Sequence, residues 1–292
     1  MNKLIWCLVA LALVGGCKES DPPIDFGGKS ALVLKDTVYT TSDIPAADFR
    51  GVLVEDLTGV RCVACPNAAD VAADVKANET TNPVVIIGYY PQAPRSLTEP
   101  FPEYLDMRTE VAQLVGTNIY NFSNILPAGG VNRRLFDGEQ TLNAGFAKWV
   151  NQAKVFDGEK SIVNMELEKE QVNDSTINVA AKFTFVSDAD YTPFVTVLVT
   201  EDGIKHPQYY SGGTDKEYKH KHVVRLALTS YNGNPLITGS AFEAVKGTVV
   251  EKGWQITITN GINIDEANIA VLVNYNDANN KEVIQCQELK LK

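Results

Sequence analysis

Residues 51–75 read GVLVEDLTGVRCVACPNAADVAADV, and this stretch decides how the first half of the chain folds. An apolar run and a Thr-Gly turn lead to a C-x-x-C-P motif, which is followed by an Ala- and Val-rich pattern typical of a helix. We therefore predict a strand that delivers Cys62 and Cys65 to a helix N-terminus. Unpaired backbone N–H groups and the positive end of the helix dipole favour thiolate there. We expect Cys62 to be the more exposed, lower-pKa attacking thiol and Cys65 its resolving partner.

Charged residues near the cysteines have candidate roles. Asp56 lies six residues before Cys62 on the predicted strand, where a buried carboxyl with a raised pKa could accept and return the proton of the resolving thiol. Glu55 faces the other side of the same strand and is the alternative for this role. Arg61 either stabilises the Cys62 thiolate or is a solvated surface charge.

Two other interpretations of the cysteine pair compete with redox chemistry. A structural disulfide across so short a loop stabilises the fold by only ~2 kcal/mol, against ~3 for a fifteen-residue loop. A zinc site would need two further ligands, and the remaining candidates occur far along the chain without a zinc-binding spacing: His206, His220, His222 and Cys286. Redox exchange, which needs two close thiols with one ionised, fits the motif best. We expect both His220 and His222, alternating on one strand, to have a structural role.

Residues 1–16 predict a targeting segment. Lys3 precedes an apolar run over residues 4–14, which is shorter than the roughly 20 residues of a membrane-spanning helix. The sequence VGGC that ends at Cys17 resembles a bacterial lipobox, so we expect Cys17 to become an acylated N-terminus; an ordinary signal peptide with an incidental Cys17 is the alternative. Residues 17–45 are predicted to tether the lipid to the folded part. The formal charge of −10 argues against nucleic acid as a partner.

The chain of 292 residues is long enough for two domains. Residues 46–157 alternate strands with helices, which predicts an α/β domain with parallel strands and a right-handed crossover. A helical insertion is expected at about 90–124, with a helix from 104 to 115 that Gly116 ends. After the insertion, Pro127 opens a further strand.

Residues 158–292 have a different pattern. Runs rich in β-branched residues alternate with turns of Asn, Asp and Gly, which predicts antiparallel strands. Their number and spacing indicate a β-sandwich of immunoglobulin-like type. The predicted strands cover residues 161–169, 176–186, 194–200, 223–229, 254–259, 267–275 and 282–291.

The order of strand, C-x-x-C-P motif and helix, with Asp56 at its offset and Pro127 opening a later strand, resembles the thioredoxin fold. In that family the proline is cis, packs beside the dithiol and leaves the backbone of the preceding residue free to pair with a substrate peptide. The resemblance implies that Cys62 attacks, Cys65 resolves and Asp56 transfers the proton. It also implies that Leu126 and Pro127 bind the peptide. The chain departs from thioredoxin by having Val-Ala between the cysteines and no tryptophan before them.

Four further segments are VLVEDLTG at 52–59, GVNR at 130–133, VTED at 199–202 and HKHVVR at 220–225. Through them the whole chain is similar to the outer membrane protein 28 family, lipoproteins with an N-terminal thioredoxin-like domain and a C-terminal β-sandwich. The resemblance implies a bacterial outer membrane location, anchored by lipid and facing the periplasm or the cell surface. Members of that family are described mainly as surface antigens or adhesin candidates.

Two functions follow as hypotheses. The first is a membrane-tethered thiol–disulfide oxidoreductase that acts on exported proteins, as oxidant or as reductant. The alternative is a non-enzymatic surface binding protein or adhesin, in which the sandwich or the insertion binds a partner and the dithiol is a local staple. Fold alone does not decide between them. Both need a protein substrate or surface partner and a lipid anchor, and neither needs a metal or other cofactor.

Overall fold

The computed structural model describes residues 32–78, 81–143, 145–239, 241–258 and 261–292. The predicted targeting segment, Cys17 and the tether as far as residue 31 lie outside these residues. Within the described part the protein is of mixed α/β class, and most of its regular structure is β.

The elements are numbered in chain order. The helices are α1 (Cys65–Asn78), α2 (Arg95–Thr98), α3 (Glu110–Asn118) and α4 (Trp149–Lys154), with short 3-10 helices at Phe146–Lys148 and Ile264–Glu266. The strands are β1 (Asp36–Thr40), β2 (Val52–Leu57), β3 (Val84–Tyr89), β4 (Ala128–Val131), β5 (Val163–Asn173), β6 (Thr176–Phe185), β7 (Pro193–Glu201), β8 (Ile204–Lys205), β9 (Gln208–Tyr210), β10 (Gly213–Asp215), β11 (Lys219–His220), β12 (Val223–Ala227), β13 (Asn234–Pro235), β14 (Thr248–Thr257), β15 (Ala267–Tyr275) and β16 (Val283–Lys290).

The stretch around the cysteines folds as the strand–helix–strand unit that its pattern predicts. β2 pairs in parallel with β3, from Val52 opposite Val84 to Leu57 opposite Tyr89, and α1 is the crossover between them. On the other edge β4 pairs antiparallel with β2. One face of α1 is apolar at i, i+4 and i+7 and packs with β2 and α4 in a buried cluster that includes Ala68, Ala72, Val75, Val52, Val54 and Trp149.

The insertion between β3 and β4 contains two helices, but its predicted helix was wrong at both ends. α3 begins at Glu110 because Thr109 caps it, its side chain accepting a hydrogen bond from the Ala112 N–H at 3.2 Å. It continues past Gly116, which has a packing role instead. A Cβ at Gly116 would lie 2.6 Å from the Leu57 side chain, so the absence of a side chain lets α3 approach β2.

One sheet runs through both predicted domains, in the order β16-β15-β7-β12-β3-β2-β4, with β13 also paired to β7. Its two halves meet where β12 runs parallel to β3: Val223 lies opposite Gly88, and the Gly88 N–H donates to the His222 carbonyl at 2.8 Å. Residues Leu32–Lys292 form one compact unit. The division at residue 157 remains a prediction, and the sheet crosses it.

A second sheet, β1-β14-β6-β5, covers part of the first. Apolar side chains of β6 and β14 meet those of β7 and β15 in one buried cluster, as expected for two packed sheets. The immunoglobulin-like type of this sandwich remains a prediction. Between β7 and β12, residues 202–222 form a two-tier hairpin in which β8 pairs with β11 and β9 with β10. We call these residues the arm; the strand pattern had not predicted it.

Candidate functional site

Cys62 and Cys65 form a disulfide at the start of α1, with an S–S distance of 2.11 Å and 5.4 Å between their Cα atoms. Cys62 lies in the turn before the helix and Cys65 is its first residue. The two residues are only 2% and 1% exposed. Cys62 is thus more exposed than Cys65 by only a small margin, and both cysteines are buried. The insertion and the arm both contact residues 58–62, the turn that carries Cys62. We call it the dithiol turn.

The insertion contacts the dithiol turn on one side. A Cβ at Gly59 would lie 2.4 Å from the Leu97 carbonyl oxygen, so this approach requires glycine. The Arg61 N–H donates to the same carbonyl at 2.9 Å, and its Nε donates to the Glu99 carbonyl at 2.7 Å. The guanidinium stacks over the Phe101 ring at 4.6 Å. Arg61 thus fixes the insertion, which is neither of the two roles predicted for it.

The arm contacts the dithiol turn from a distant part of the sequence. The side-chain amide of Gln208 donates to the Cys62 carbonyl at 2.9 Å and to the Gly59 carbonyl at 3.2 Å. The next residue, Tyr209, donates its backbone N–H to the Val60 carbonyl at 2.9 Å. Gln208 is itself buried. The C-terminal part of the chain therefore completes the environment of the disulfide.

Asp56 lies on the α1 side of β2 and lacks a partner for one oxygen. It is 4% exposed, and its Oδ1 has no hydrogen bond among the described residues. Burial raises the pKa of Asp56 to about 8. A carboxyl in this state is mostly protonated at neutral pH and can donate or accept a proton.

Glu55, the other candidate, is fully paired on the opposite face. Arg133 binds both of its oxygens, at 2.8 and 2.7 Å, and Tyr89 and Tyr120 donate to them at 2.9 and 2.6 Å. Burial alone would raise the pKa of Glu55, but the charge and hydrogen bonds of Arg133 and the two tyrosines hold it below its usual value. Glu55 is therefore a fixed buried anion.

A cavity of about 210 Å³ connects Asp56 with Cys65. Tyr90 and His220 also line it. The His220 Nε2 lies 3.1 Å from the His206 carbonyl, which can only accept, so Nε2 carries the proton and Nδ1 accepts from the Tyr90 hydroxyl at 2.6 Å. Burial lowers the pKa of His220 to about 3, so the ring is neutral.

The structural role predicted for the histidines is consistent with these contacts, but their predicted placement on one strand was wrong. β11 ends at His220, and His222 follows with a φ of 56°, before β12 begins. Across the described ranges, no three His, Cys, Asp or Glu side chains converge as metal ligands.

The Leu126–Pro127 peptide bond is cis, as the resemblance to thioredoxin implied. Leu126 and Ala128, on either side of the proline, belong to the buried cluster that also contains Cys62 and Cys65. β4 begins directly after the proline. The structure thus brings together the dithiol, Asp56 and this segment.

Sequence reasoning missed Tyr90 and Gln208, and it named His220 without placing it at this site. Tyr90 had a usable signal, because it lies two positions beyond Gly88, which pairs with Asp56 in the parallel register. No sequence signal placed Gln208 or His220 near the cysteines, because their approach depends on how the arm folds back across the sheet.

The fold and the site describe a mixed α/β protein with a buried C-x-x-C disulfide at a helix N-terminus. The chain belongs to the Omp28 family: the model described as "Outer membrane protein Omp28" matches residues 117–292, more than half of the chain. The match begins after the dithiol and includes the arm. Membership of this family places the protein in the bacterial outer membrane. No helix in the described ranges has the length and apolar character needed to span a bilayer.

Two solved structures are similar to the chain. HBP35 of Porphyromonas gingivalis is 18% identical with a TM-score of 0.61, over 84% of this chain and 77% of that one, so the two share a fold. A domain of the outer membrane lipoprotein Omp28 from Porphyromonas gingivalis is 17% identical over 45% of this chain and 89% of that one. Its TM-score of 0.30 is too low to compare the folds. No curated protein gives a significant match.

Proposed function

We propose that this outer membrane protein exchanges thiols and disulfides with exported proteins. The observation that carries the proposal is the cavity lined by both Cys65 and Asp56, whose carboxyl has one oxygen without a hydrogen bond. The strand–helix–strand order, with the C-x-x-C motif at the start of the helix, supports a thioredoxin-like assignment for this half of the chain. Perturbed titratable groups beside a reactive pair are typical of functional sites.

The reaction, written from the oxidised pair, begins when a client thiolate attacks the Cys62 sulfur. The Cys62–Cys65 bond breaks, its electron pair leaves on Cys65, and a mixed disulfide joins the client to Cys62. A second client thiolate attacks the client sulfur of that bond, which forms the client disulfide and releases the Cys62 thiolate. Two electrons pass from client to protein. Starting from the dithiol, the reverse sequence reduces a client disulfide.

Asp56 supplies the proton in this scheme. Its protonated carboxyl gives the proton to the departing Cys65 thiolate and takes it back when the disulfide reforms. Glu55 is unsuited to the role because Arg133 and two tyrosines hold it ionised. The N-terminus of α1 stabilises the Cys62 thiolate.

Leu126 and Pro127 are proposed to hold the client backbone beside the disulfide. Their support is the buried cluster that Leu126 shares with both cysteines. An extended client segment would then present its sulfur to Cys62.

Insulin turnover by the full chain, purified in detergent, tests the proposal. We expect thiol-dependent turnover by the wild type and its loss in Cys62→Ser and Cys65→Ser. Cys286→Ala is the matched control, because Cys286 is a free buried cysteine and its loss should leave turnover unchanged. Wild-type protein without thiol-dependent turnover would contradict the proposal.

We further propose that lipid on Cys17 anchors the protein. Its support is the lipobox-like sequence, and several acyl chains give firm attachment because each buried CH₂ contributes ~0.8 kcal/mol. Cys17→Ala should abolish labelling by radioactive palmitate, whereas Cys7→Ala, within the predicted targeting segment, should not. Labelling that survives in Cys17→Ala would exclude this anchor.

Partner binding without redox chemistry is the second candidate. The burial of both sulfurs favours it, because a structural disulfide needs no access. In that case a partner bound by the wild type is bound equally well by the Cys62→Ser, Cys65→Ser double variant, and insulin turnover is absent.

A further inference from the structure

The arm leaves the main sheet between two strands that pair with each other, β7 and β12. Hairpin loops usually have 2–5 residues, so an excursion over residues 202–222 is far longer than the connection requires. Its β8–β11 tier lies near the sheet, and its β9–β10 tier carries Gln208 to the dithiol turn.

Gln208 binds the backbone of the dithiol turn. Its amide donates to the carbonyls of Cys62 and Gly59 at 2.9 and 3.2 Å, and Tyr209 adds a backbone bond to Val60 at 2.9 Å. Thiol–disulfide exchange needs a third sulfur to approach the Cys62 sulfur, and Cys62 is only 2% exposed. The attack therefore requires the groups packed around Cys62 to move, and the bonds from Gln208 and Tyr209 hold the turn that carries Cys62 in its closed position.

Gln208 also lies between the buried cavity beside the disulfide and an open groove on the surface. It lines the 210 Å³ cavity with Asp56 and Cys65, and it lines an open groove of about 560 Å³ with Val63 and Tyr210. Val63 and Tyr210 are exposed apolar side chains. A client that reaches the disulfide from this groove meets Gln208 first.

We propose that Gln208 determines which thiols reach the Cys62–Cys65 disulfide, a role that rests on the exchange function proposed above. An extended polypeptide offers free backbone N–H groups, which can replace the Gln208 amide at the Gly59 and Cys62 carbonyls. A small dithiol such as dithiothreitol has hydroxyl donors but no run of backbone N–H groups, so it does not replace the Gln208 amide at both carbonyls and waits for the arm to open. A folded client cannot compete either, because its backbone donors are already paired. The site thereby selects extended segments.

The comparison of two dithiols on the full chain tests this role. Dithiothreitol is the small probe, and an unstructured peptide with two cysteines is the extended one. With either, one thiolate forms the mixed disulfide with Cys62, Cys65 leaves and takes a proton, and the second thiolate closes the probe's own disulfide. Gln208→Ala should raise the dithiothreitol rate about tenfold, equivalent to ~1.4 kcal/mol, while the peptide rate changes less than about twofold.

Gln171→Ala is the matched control, since Gln171 lies exposed on β5 and should leave both rates unchanged. The proposal is overturned if Gln208→Ala leaves the dithiothreitol rate within about twofold of wild type, or raises both rates by the same factor. A wild type that reacts with dithiothreitol but with no peptide would contradict the exchange function and, with it, the selection of extended segments. In that case the dithiothreitol rate of Gln208→Ala, divided by the wild-type rate, still tests whether Gln208 limits access to the disulfide.

A second variant covers the case in which Gln208→Ala does not fold. In Gln208→Glu a protonated carboxyl can donate to the Cys62 carbonyl, whereas a carboxylate can only accept and is repelled by it. The dithiothreitol rate of this variant, divided by the wild-type rate at the same pH, should therefore rise between about pH 4 and 9, because burial raises the pKa of the carboxyl above the usual glutamate value. A ratio that stays flat across this range would overturn the proposal.

Discussion

Neighbouring carboxyls on β2 have opposite states. Glu55 is buried with an arginine and two tyrosines as partners, so it is ionised, whereas Asp56 is buried with one unpaired oxygen, so it holds a proton. Both were candidates for proton transfer from the sequence, because alternation along a strand does not say which face receives a cation. Arg133 determines that Glu55 is the ionised carboxyl. Its approach to Glu55 is a tertiary contact, which the local sequence does not reveal.

The raised pKa of Asp56 predicts a pH-dependent stability. The unfolded state releases this proton near pH 3.8, whereas the folded state keeps it to about pH 8. The group therefore lowers the free energy of unfolding as pH rises through that window, by ~1.4 kcal/mol per unit of difference in pKa. Asp56→Asn does not titrate, so its stability relative to wild type should increase from pH 4 to about 8 and then level off. Urea unfolding at several pH values measures this difference in stability between variant and wild type. A difference that stays constant with pH would contradict the raised pKa of Asp56.

The rate of thiol–disulfide exchange by Asp56→Asn should fall on the order of 10²-fold, because the variant cannot transfer the proton.

Removal of Arg133 should destabilise the protein strongly. Arg133→Met leaves the Glu55 carboxylate buried without its cation, which typically lowers the free energy of unfolding by ~3–5 kcal/mol. Addition of Glu55→Gln should recover part of the loss because the uncompensated charge is gone. Urea titration of the single and double variants provides the comparison, and a loss below about 1 kcal/mol would show that the pair is unimportant for stability.

Among the secondary-structure elements, those set by a local hydrophobic pattern were predictable, whereas those that depend on contacts distant in sequence were not. Residues 51–75 determine β2 and α1 through hydrophobic period and burial, and both form as expected. α3 was misplaced because Gly116 resembles a helix stop while its actual role is close packing on Leu57. The arm was missed because its short strands lack a long apolar pattern. Its contact with the dithiol turn could therefore not be predicted.

The base of the arm should weaken in acid. His220 has a pKa of about 3 in the folded protein and 6.5 as an ordinary value, so folding opposes its protonation between these limits. Its contribution lowers the free energy of unfolding as pH falls from 6.5 towards 3. His220→Gln keeps an oxygen that can accept from Tyr90 but does not titrate, so its stability should decline less steeply in that range. Equal slopes for variant and wild type, measured by urea unfolding, would contradict this account.

At the scale of the molecule, the two predicted parts share structure. The sheet passes from β3 to β12, and the buried cluster around the cysteines includes Leu198, Val224 and Leu272 from the C-terminal part. Composition and strand spacing indicated two domains because each half has its own pattern. They could not reveal the shared sheet, since parallel pairing between distant strands leaves no local signature.

Unfolding should therefore be cooperative. Because the cluster around the cysteines draws side chains from both halves, neither half keeps its core when the other is lost. Calorimetry of the full chain should show one transition whose calorimetric and van't Hoff enthalpies agree. Two resolved transitions would support independent domains on either side of residue 157.

Capture of the mixed disulfide between Cys62 and a client distinguishes an exchange protein from one with a purely structural disulfide. Cys65→Ser removes the resolving thiol, so Cys62 should stay joined to the client that it attacks, and non-reducing gels with mass spectrometry should find the adduct at Cys62. Cys62→Ser should give no such adduct. Absence of any client adduct on Cys65→Ser, with client disulfides supplied in excess, would contradict the exchange function.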